Sequence, residues 1–293
     1  MNRLLERYDL YLFDLWGVLW DSKVHFPPAF SFCRRLLEVG KRIAFVSNCA
    51  EYTAPQLLGR LHGAGLPEAE ESWLSTSGQA MKRWFQQNGI AQGSSVYVFG
   101  SSAVHENVRR AGIMDIELPH SAPELAANRQ SDTLVIGGEG DLTWRSLQEI
   151  ASCVRIGKLR IVLPNPDRIV IAKDNTVSLP PGMVVSVIQA AVPSVEVSPI
   201  GKPYPFIFDY ALELADFSGE RSRVLMVGDS LETDVLGASN AGIDSLLLGQ
   251  GFHLGQEHHE INAIAENLGA TPTWFAAELS PEMDLIELQN GRL

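Results

Sequence analysis

Cysteine is scarce. Three occur in 293 residues, Cys33, Cys49 and Cys153. They are odd in number, far apart and without metal-ligand spacing, which excludes a disulfide framework and a cysteine zinc site. Free thiols in a reducing compartment are expected. Long apolar runs are missing as well. No stretch reaches the roughly 20 residues of a membrane-spanning helix, and Met1–Arg7 lacks an apolar signal core. The reading is a cytoplasmic protein with no membrane partner. Positive charge is in deficit, with 23 Lys and Arg against 35 Asp and Glu and a net charge of −12. That argues against nucleic acid as a main partner. It leaves a phosphorylated substrate open, because a bound metal ion can invert the local field. No internal repeat or low-complexity tract is present. What remains, 45% hydrophobic and 20% charged, is globular composition long enough for two domains.

The apolar run Leu10–Phe13 ends in Asp14, with Gly17 three residues later. This pattern predicts a buried strand that delivers a carboxylate into a crevice, with the glycine easing a turn. In open α/β sheets that crevice is where ligands bind. A helix is predicted over Ala29–Val39, a strand over Arg42–Val46 ending at Ser47-Asn48, and a helix from Ala54 to His62. Strand–helix alternation of this kind indicates a parallel sheet. Ser75–Gly78 reads as a seam, after which alternation restarts. Helices are predicted over Gln79–Gln87, Ala103–Arg110, Thr143–Ile156 and Met183–Ala191. Strands are predicted over Ser95–Phe99, Thr133–Ile136, Leu159–Leu163 and Ile169–Ala172. A second seam is read near Pro193–Ser198. Beyond it come Gly201-Lys202-Pro203, a helix over Pro205–Ala215, a strand over Arg223–Val227, the segment Gly228–Asp234, a helix over Leu231–Asn240 and a strand over Asp244–Leu248. The expected architecture is a doubly wound, Rossmann-like parallel α/β core, residues 1–77 and 198–293, with an inserted α/β cap domain at 78–197.

Several residues attract other readings. His253, His258 and His259 stand with Glu257 and Glu260 in one stretch that reads as a solvated loop rather than a metal site. Trp73, Trp84, Trp144 and Trp274 read as core or interface anchors. Gly249-Gln250-Gly251 lacks the helix signal of a dinucleotide site. Gly137-Gly138-Glu139-Gly140 reads as a tight, substrate-facing turn.

Asp14, Ser47-Asn48, Lys202 and the Gly228–Asp234 segment each stand after a predicted strand or before a predicted helix. If the strands before Asp14 and Asp229 are neighbours, both carboxylates face one crevice and offer hard oxygen donors to Mg²⁺. Asp234 can brace that group, and Lys202 can neutralise a carboxylate and a phosphate as a point charge. Ser47 and Asn48, placed at a helix start, can donate to phosphate oxygens. Together they describe phosphoryl transfer with a carboxylate nucleophile. The competing reading is four unrelated loop residues.

On these four ordered segments the chain resembles the haloacid dehalogenase superfamily of aspartyl-phosphate hydrolases. Val135–Gly138 through Asp141-Leu142-Thr143, and Pro164-Asn165-Pro166-Asp167, resemble cap segments of the N-acetylglucosamine-phosphate, p-nitrophenylphosphate and phosphoglycolate phosphatase branch. The resemblance implies Mg²⁺-dependent hydrolysis of a small phosphate monoester under a closing cap. It implies Asp14 as nucleophile and Mg²⁺ ligand, and the Trp16 backbone carbonyl as a further ligand. Ser47 and Asn48 would hold phosphate, Lys202 would stabilise charge, and Asp229 would bind metal with Asp234 in support. Asn165 and Asp167 would reach the substrate from the cap. The implied partner is a small phosphorylated metabolite, and a cap of this kind is compatible with a homodimer.

One position departs from the pattern. The family's phosphatases carry a second aspartate two residues after the nucleophile, as proton donor and base. Here that residue is Trp16, and an indole does neither. Cys49 replaces a second asparagine, a milder change. Three readings follow: hydrolysis of activated phosphates or a proton from another group (Asp21, Glu51 and His25 are near in sequence), a phosphate-binding protein without turnover, or altered chemistry. The intact acidic pair disfavours the last.

Overall fold

The computed structural model describes residues 2–21, 24–138, 142–171, 176–251, 256 and 258–288. Glu139, Gly140, Asp141, Ala172, His253 and Glu257, singled out above, lie outside them. The chain forms two compact units. One comprises Met1–Ser47, Ala54–Ser75 and Lys202–Leu293; the other comprises Asn48–Thr53 and Thr76–Gly201.

The first unit is built on a seven-stranded sheet. Its order is Ile286–Glu287, Trp274–Ala276, Asp244–Leu248, Val224–Gly228, Leu10–Phe13, Arg42–Ser47, Leu74–Thr76. Leu10–Phe13 runs parallel to both neighbours, with Phe13 opposite Val227 on one side and Phe45 on the other. Its four residues are all fully buried, which an apolar run without alternation requires of a strand covered on both faces. Tyr11 and Phe13 point into a core shared with Phe30, Phe32, Phe45 and Leu225. Leu10 and Leu12 point into another shared with Ile207, Phe208, Met226 and Ala238. Helices Pro27–Glu38 and Pro205–Leu214 supply these opposite faces, so the unit is doubly wound. Because parallel strands end together, Asp14, Ser47 and Asp229 all emerge at one edge of the sheet.

The second unit has its own five-stranded sheet in the order Val197–Pro199, Arg160–Leu163, Thr133–Gly137, Ser95–Gly100, Met114–Glu117, and every pairing is parallel. A short antiparallel hairpin, Val170–Ile171 with Val177–Ser178, is added to it. Leu134, Ile136, Ile161, Ile150, Val154 and Ile188 form its core.

Local differences from the sequence reading have physical causes. The Ser75–Gly78 seam is structured: Leu74–Thr76 is a strand, and the Thr76 hydroxyl caps the helix Ser77–Gln87 by accepting the Gln79 N–H. The seam near Pro193–Ser198 likewise runs into the strand Val197–Pro199. His258, His259 and Glu260 are not in a loop. They open the helix His258–Leu268, where the His258 ring packs edge-on to Phe275 at 5.4 Å. Trp84 and Trp274 are buried as expected, but Trp144 is 74% exposed, because it sits in the first turn of its helix beyond the apolar stripe. None of the three cysteines is in a disulfide, and Cys33 and Cys153 are buried.

Candidate active site

Asp14 is the first residue past its strand. Its N–H still donates to Val227 O at 2.9 Å, so the backbone is fixed by the sheet before the side chain begins. One carboxylate oxygen, Oδ1, accepts the Leu15 N–H at 2.7 Å and the Lys202 ammonium at 2.9 Å. Lys202 is 2% exposed and reaches Asp234 Oδ1 at 2.6 Å with the same nitrogen. The other oxygen of Asp234 accepts the backbone N–H groups of Asp229 and Ser230, each at 3.1 Å. Asp234 lies in a π-type turn, Leu231–Val235, that Ser230 caps by accepting the Thr233 N–H. A wider turn of this type is common at functional sites, and here it turns Asp234 back onto the strand that carries Asp229.

Asp14, Asp229 and Asp234 are all buried, and each offers an oxygen within 4.8 Å of the others. Two glycines make room for Asp229. A Cβ on Gly17 (φ +78°) would lie 2.0 Å from Asp229 Oδ2, and a Cβ on Gly251 (φ +80°) would lie 2.0 Å from the same oxygen. Both turns therefore require a residue without a side chain, for conformation and for space. A third brace is Gln250. Its amide donates to the carbonyls of Gly17 at 3.0 Å and Val18 at 3.3 Å, and its Oε1 accepts the Leu279 N–H.

The electrostatics are unbalanced. Three buried carboxylates face one ammonium, so negative charge is in surplus in this group when they are ionised. Burial pushes the Asp14 carboxyl up to about 7; Lys202 pulls it down and Asp234 pushes it up. Burial disfavours the charged form of Lys202, but Asp14 and Asp234 more than offset this and hold its proton above the ordinary lysine range. A divalent cation matches the surplus, and an all-oxygen carboxylate set suits a hard ion such as Mg²⁺. The residues present fit such a group.

The other expected residues divide. Ser47 is buried at the end of the strand beside that of Asp14. It is not at a helix start, because the next helix begins at Ala54. Asn48 falls in the second unit, where its amide donates to Asp167 Oδ1 at 2.7 Å. Asp167 in turn donates its N–H to Asn165 Oδ1 at 2.9 Å, so these three are joined by side-chain hydrogen bonds. Asp21 is half-buried at the tip of the short hairpin Trp20–Asp21 with Val24–His25.

Trp16 opens the Gly17 turn, and its half-buried ring packs on the core. The ring meets Trp20 edge-on at 5.6 Å and 86°. The Arg60 guanidinium lies 5.6 Å from the Trp16 ring centre and 4.3 Å from that of Trp20. In the sequence Gln250 stands out only as the centre of a Gly-X-Gly without the signal of a dinucleotide site, and Arg60 does not stand out. The glycines flanking Gln250 were a signal of close approach, whereas Arg60 carries none.

Models of one family match both segments that supply these residues. A haloacid dehalogenase-like hydrolase model covers residues 11–114, and a HAD-hydrolase-like model covers residues 199–276. The chain belongs to the haloacid dehalogenase-like hydrolases. It is 27% identical over 309 residues to the glycerol-3-phosphate phosphatase of Gallus gallus, covering 97% of this chain and 94% of that one. Among solved structures it resembles the p-nitrophenyl phosphatase from Archaeoglobus fulgidus, with a TM-score of 0.78 at 24% identity over 93% of this chain and 97% of that chain. It also resembles the glycerol phosphate phosphatase from Mycobacterium tuberculosis in complex with magnesium, with a TM-score of 0.74 at 25% identity, covering 94% of this chain and 77% of that chain.

Proposed function

We propose that this protein is a Mg²⁺-dependent phosphatase that hydrolyses a small phosphate monoester, a sugar phosphate or similar metabolite, through an aspartyl-phosphate on Asp14. The observation that carries the reading is the buried group in which Lys202 bridges Asp14 and Asp234 beside Asp229. Asp14 attacks phosphorus. Lys202 orients its carboxylate and offsets charge on the transferring group. Ser47 and Asn48 donate to phosphate oxygens. Asp14, Asp229, the Trp16 carbonyl and, in support, Asp234 would hold the cation, which when bound supplies charge neutralisation at the phosphoryl oxygens. Asp234 also keeps Lys202 and the Asp229 backbone in register. The inserted unit, with Asn165 and Asp167, is assigned substrate selection. The relatives named above, phosphatases of glycerol phosphate and p-nitrophenyl phosphate, support the substrate class.

Trp16 favours a second reading, a phosphate-binding protein without turnover. Phosphate release from p-nitrophenyl phosphate, acetyl phosphate and sugar phosphates, with and without Mg²⁺ and beside Asp14→Asn, decides between them. Mg²⁺- and Asp14-dependent release supports the phosphatase. No release, with vanadate still raising Tm in Mg²⁺, supports the binding protein.

A further inference from the structure

The inserted unit holds a polar side chain where an apolar one is expected. Asn107 lies on the buried face of the helix Ser102–Arg110, with Val104 and Val108, and is 4% exposed. A buried amide needs partners, and Asn107 finds them far back along the chain. Its Nδ2 donates to Ala50 O at 3.0 Å and to Tyr52 O at 3.3 Å. The Gly78 N–H donates to Cys49 O at 3.3 Å. Gly78 and Asn107 are themselves in close approach. A Cβ on Gly78 would lie 2.6 Å from Asn107 Nδ2 and 3.3 Å from Ala50 Cα. The carbonyls of Cys49, Ala50 and Tyr52 therefore converge on one place. All of these residues belong to the same compact unit.

The three carbonyls lie in the loop that directly follows Ser47-Asn48. A planar trans peptide directs its N–H opposite to its C=O, so the N–H groups of Ala50, Glu51 and Thr53 face away from Asn107. The direction matters because each peptide is a dipole. An anion is attracted by its N–H end, as in backbone nests, and repelled by its carbonyl end. The start of the loop is braced as well. The Asn48 amide donates to Asp167 Oδ1 at 2.7 Å, and a Cβ on Gly201 would lie 2.4 Å from Asn48 Oδ1. Building on the phosphatase reading, we infer that Asn107 is a positioning residue for phosphate binding: by holding the Ala50 and Tyr52 carbonyls it fixes the loop after Asn48 with its N–H side, not its carbonyl side, toward the phosphate. Asn107 acts through the loop, from inside the unit. A side chain of similar shape without N–H groups would leave two buried carbonyls unpaired, and the loop would turn them out toward water.

The test compares the wild type with Asn107→Leu, which keeps the branched shape and removes both donors. Tyr97→Phe is the structural control. Tyr97 is 1% exposed in the same unit, and its hydroxyl accepts the Gln130 N–H at 2.9 Å, so this variant removes a buried hydrogen bond outside the loop. KM, kcat and inhibition by inorganic phosphate are measured on p-nitrophenyl phosphate, together with the Mg²⁺ dependence and Tm. Asn107→Leu is expected to raise KM and the phosphate inhibition constant together by about 10–100-fold, the worth of one hydrogen bond to a charged group. Because the lost contact serves substrate and transition state alike, kcat should change far less. The Mg²⁺ needed for half-maximal activity should stay the same. Tyr97→Phe should lower Tm and leave KM and phosphate inhibition unchanged. A lower Tm in Asn107→Leu with unchanged KM and phosphate inhibition, or equal losses in Tyr97→Phe, would overturn the inference and leave the phosphatase reading intact. Absence of phosphate release from the wild type would instead sink the phosphatase reading, and vanadate in Mg²⁺ then decides. A rise in Tm that is smaller in Asn107→Leu supports the inference; an equal rise in both, or none in the wild type, overturns it. If Asn107→Leu does not fold, Gly78→Ala takes its place, since its Cβ presses on Asn107 Nδ2. It should raise KM and the phosphate inhibition constant, and unchanged values would overturn the inference.

Discussion

Gly17→Ala isolates the contact that shapes the Asp229 pocket. An added Cβ would stand 2.0 Å from Asp229 Oδ2 and 2.5 Å from its Cγ. Real Cβ atoms essentially never approach a neighbour below 3.0 Å, so the carboxylate must retreat by at least about 1 Å. A displacement of that size at reacting groups costs on the order of 10²-fold in rate. The backbone cost is separate. Alanine in the left-handed region loses roughly 1–2 kcal/mol, which lowers Tm by about 2–4 °C per kcal/mol in a domain of this size. Gly40→Ala provides the control. Its φ is +74°, and nothing lies within 4 Å of its Cβ position. The two variants should lose similar stability, but Gly17→Ala alone should lose about 10²-fold in kcat and need more Mg²⁺ for half-maximal activity. Gly251→Ala should behave like Gly17→Ala, since it crowds the same oxygen from another loop. Thermal melts and Mg²⁺ titrations of phosphate release measure both effects. Wild-type kcat and Mg²⁺ dependence in Gly17→Ala would refute the assignment of Asp229 to the cation.

Asp14→Asn should fold, judged by near-UV circular dichroism, and release no phosphate above background; retained turnover would remove Asp14 as nucleophile. Arg60→Ala should cost about 0.5–2 kcal/mol, the range for a cation–π contact, read as a lower urea midpoint; an unchanged midpoint would show that the stack over Trp16 and Trp20 contributes nothing. Burial pushes the Cys33 thiol up to about 12. A thiol reagent at pH 8 should therefore modify half-buried Cys49 in the native protein and leave Cys33 untouched, as peptide mapping would reveal. Arg223 and then Lys41 hydrogen-bond the Asp9 carboxylate and hold its pKa at about 2. That is below its unfolded value near 3.9, so its stabilisation is present above about pH 4 and fades as pH falls toward 2. Asp9→Asn should thus lower the urea midpoint at pH 6 more than at pH 3; the pair is solvent-exposed, so the difference should shrink in high salt.

The buried strands were legible because a strand covered on both faces is an unbroken apolar run, and Leu10–Phe13 and Val224–Gly228 are such runs. Asp14, Lys202, Asp229 and Asp234 were legible because each sits at a fixed offset from one of these runs or from a helix. Short elements were not. Trp20–Asp21 with Val24–His25 is too brief to show a period, and Met114–Glu117 is a partly exposed edge strand without an apolar run. A last helix is expected after Glu260, but its start at His258 was hidden because its first turn is polar and the partner of the His258 ring, Phe275, lies outside the helix. Gln250 and Arg60 act on the turn after Asp14 through contacts distant in sequence, as with Gln250 and Gly17 at a separation of 233 residues. Such contacts leave no local pattern.

The central strand has a temporal consequence during synthesis. Leu10–Phe13 has one neighbour, Arg42–Ser47, that leaves the ribosome early, and another, Val224–Gly228, that arrives far later. At about 5–20 residues per second, the interval is roughly ten to thirty seconds. Throughout it one edge of the future centre of the sheet lacks its mate, while the intervening segment, with its own parallel sheet and apolar core, has all it needs to collapse. The nascent chain therefore carries Asp14 long before it carries Lys202, Asp229 or Asp234, and the carboxylate proposed as the nucleophile is the oldest member of a site completed last.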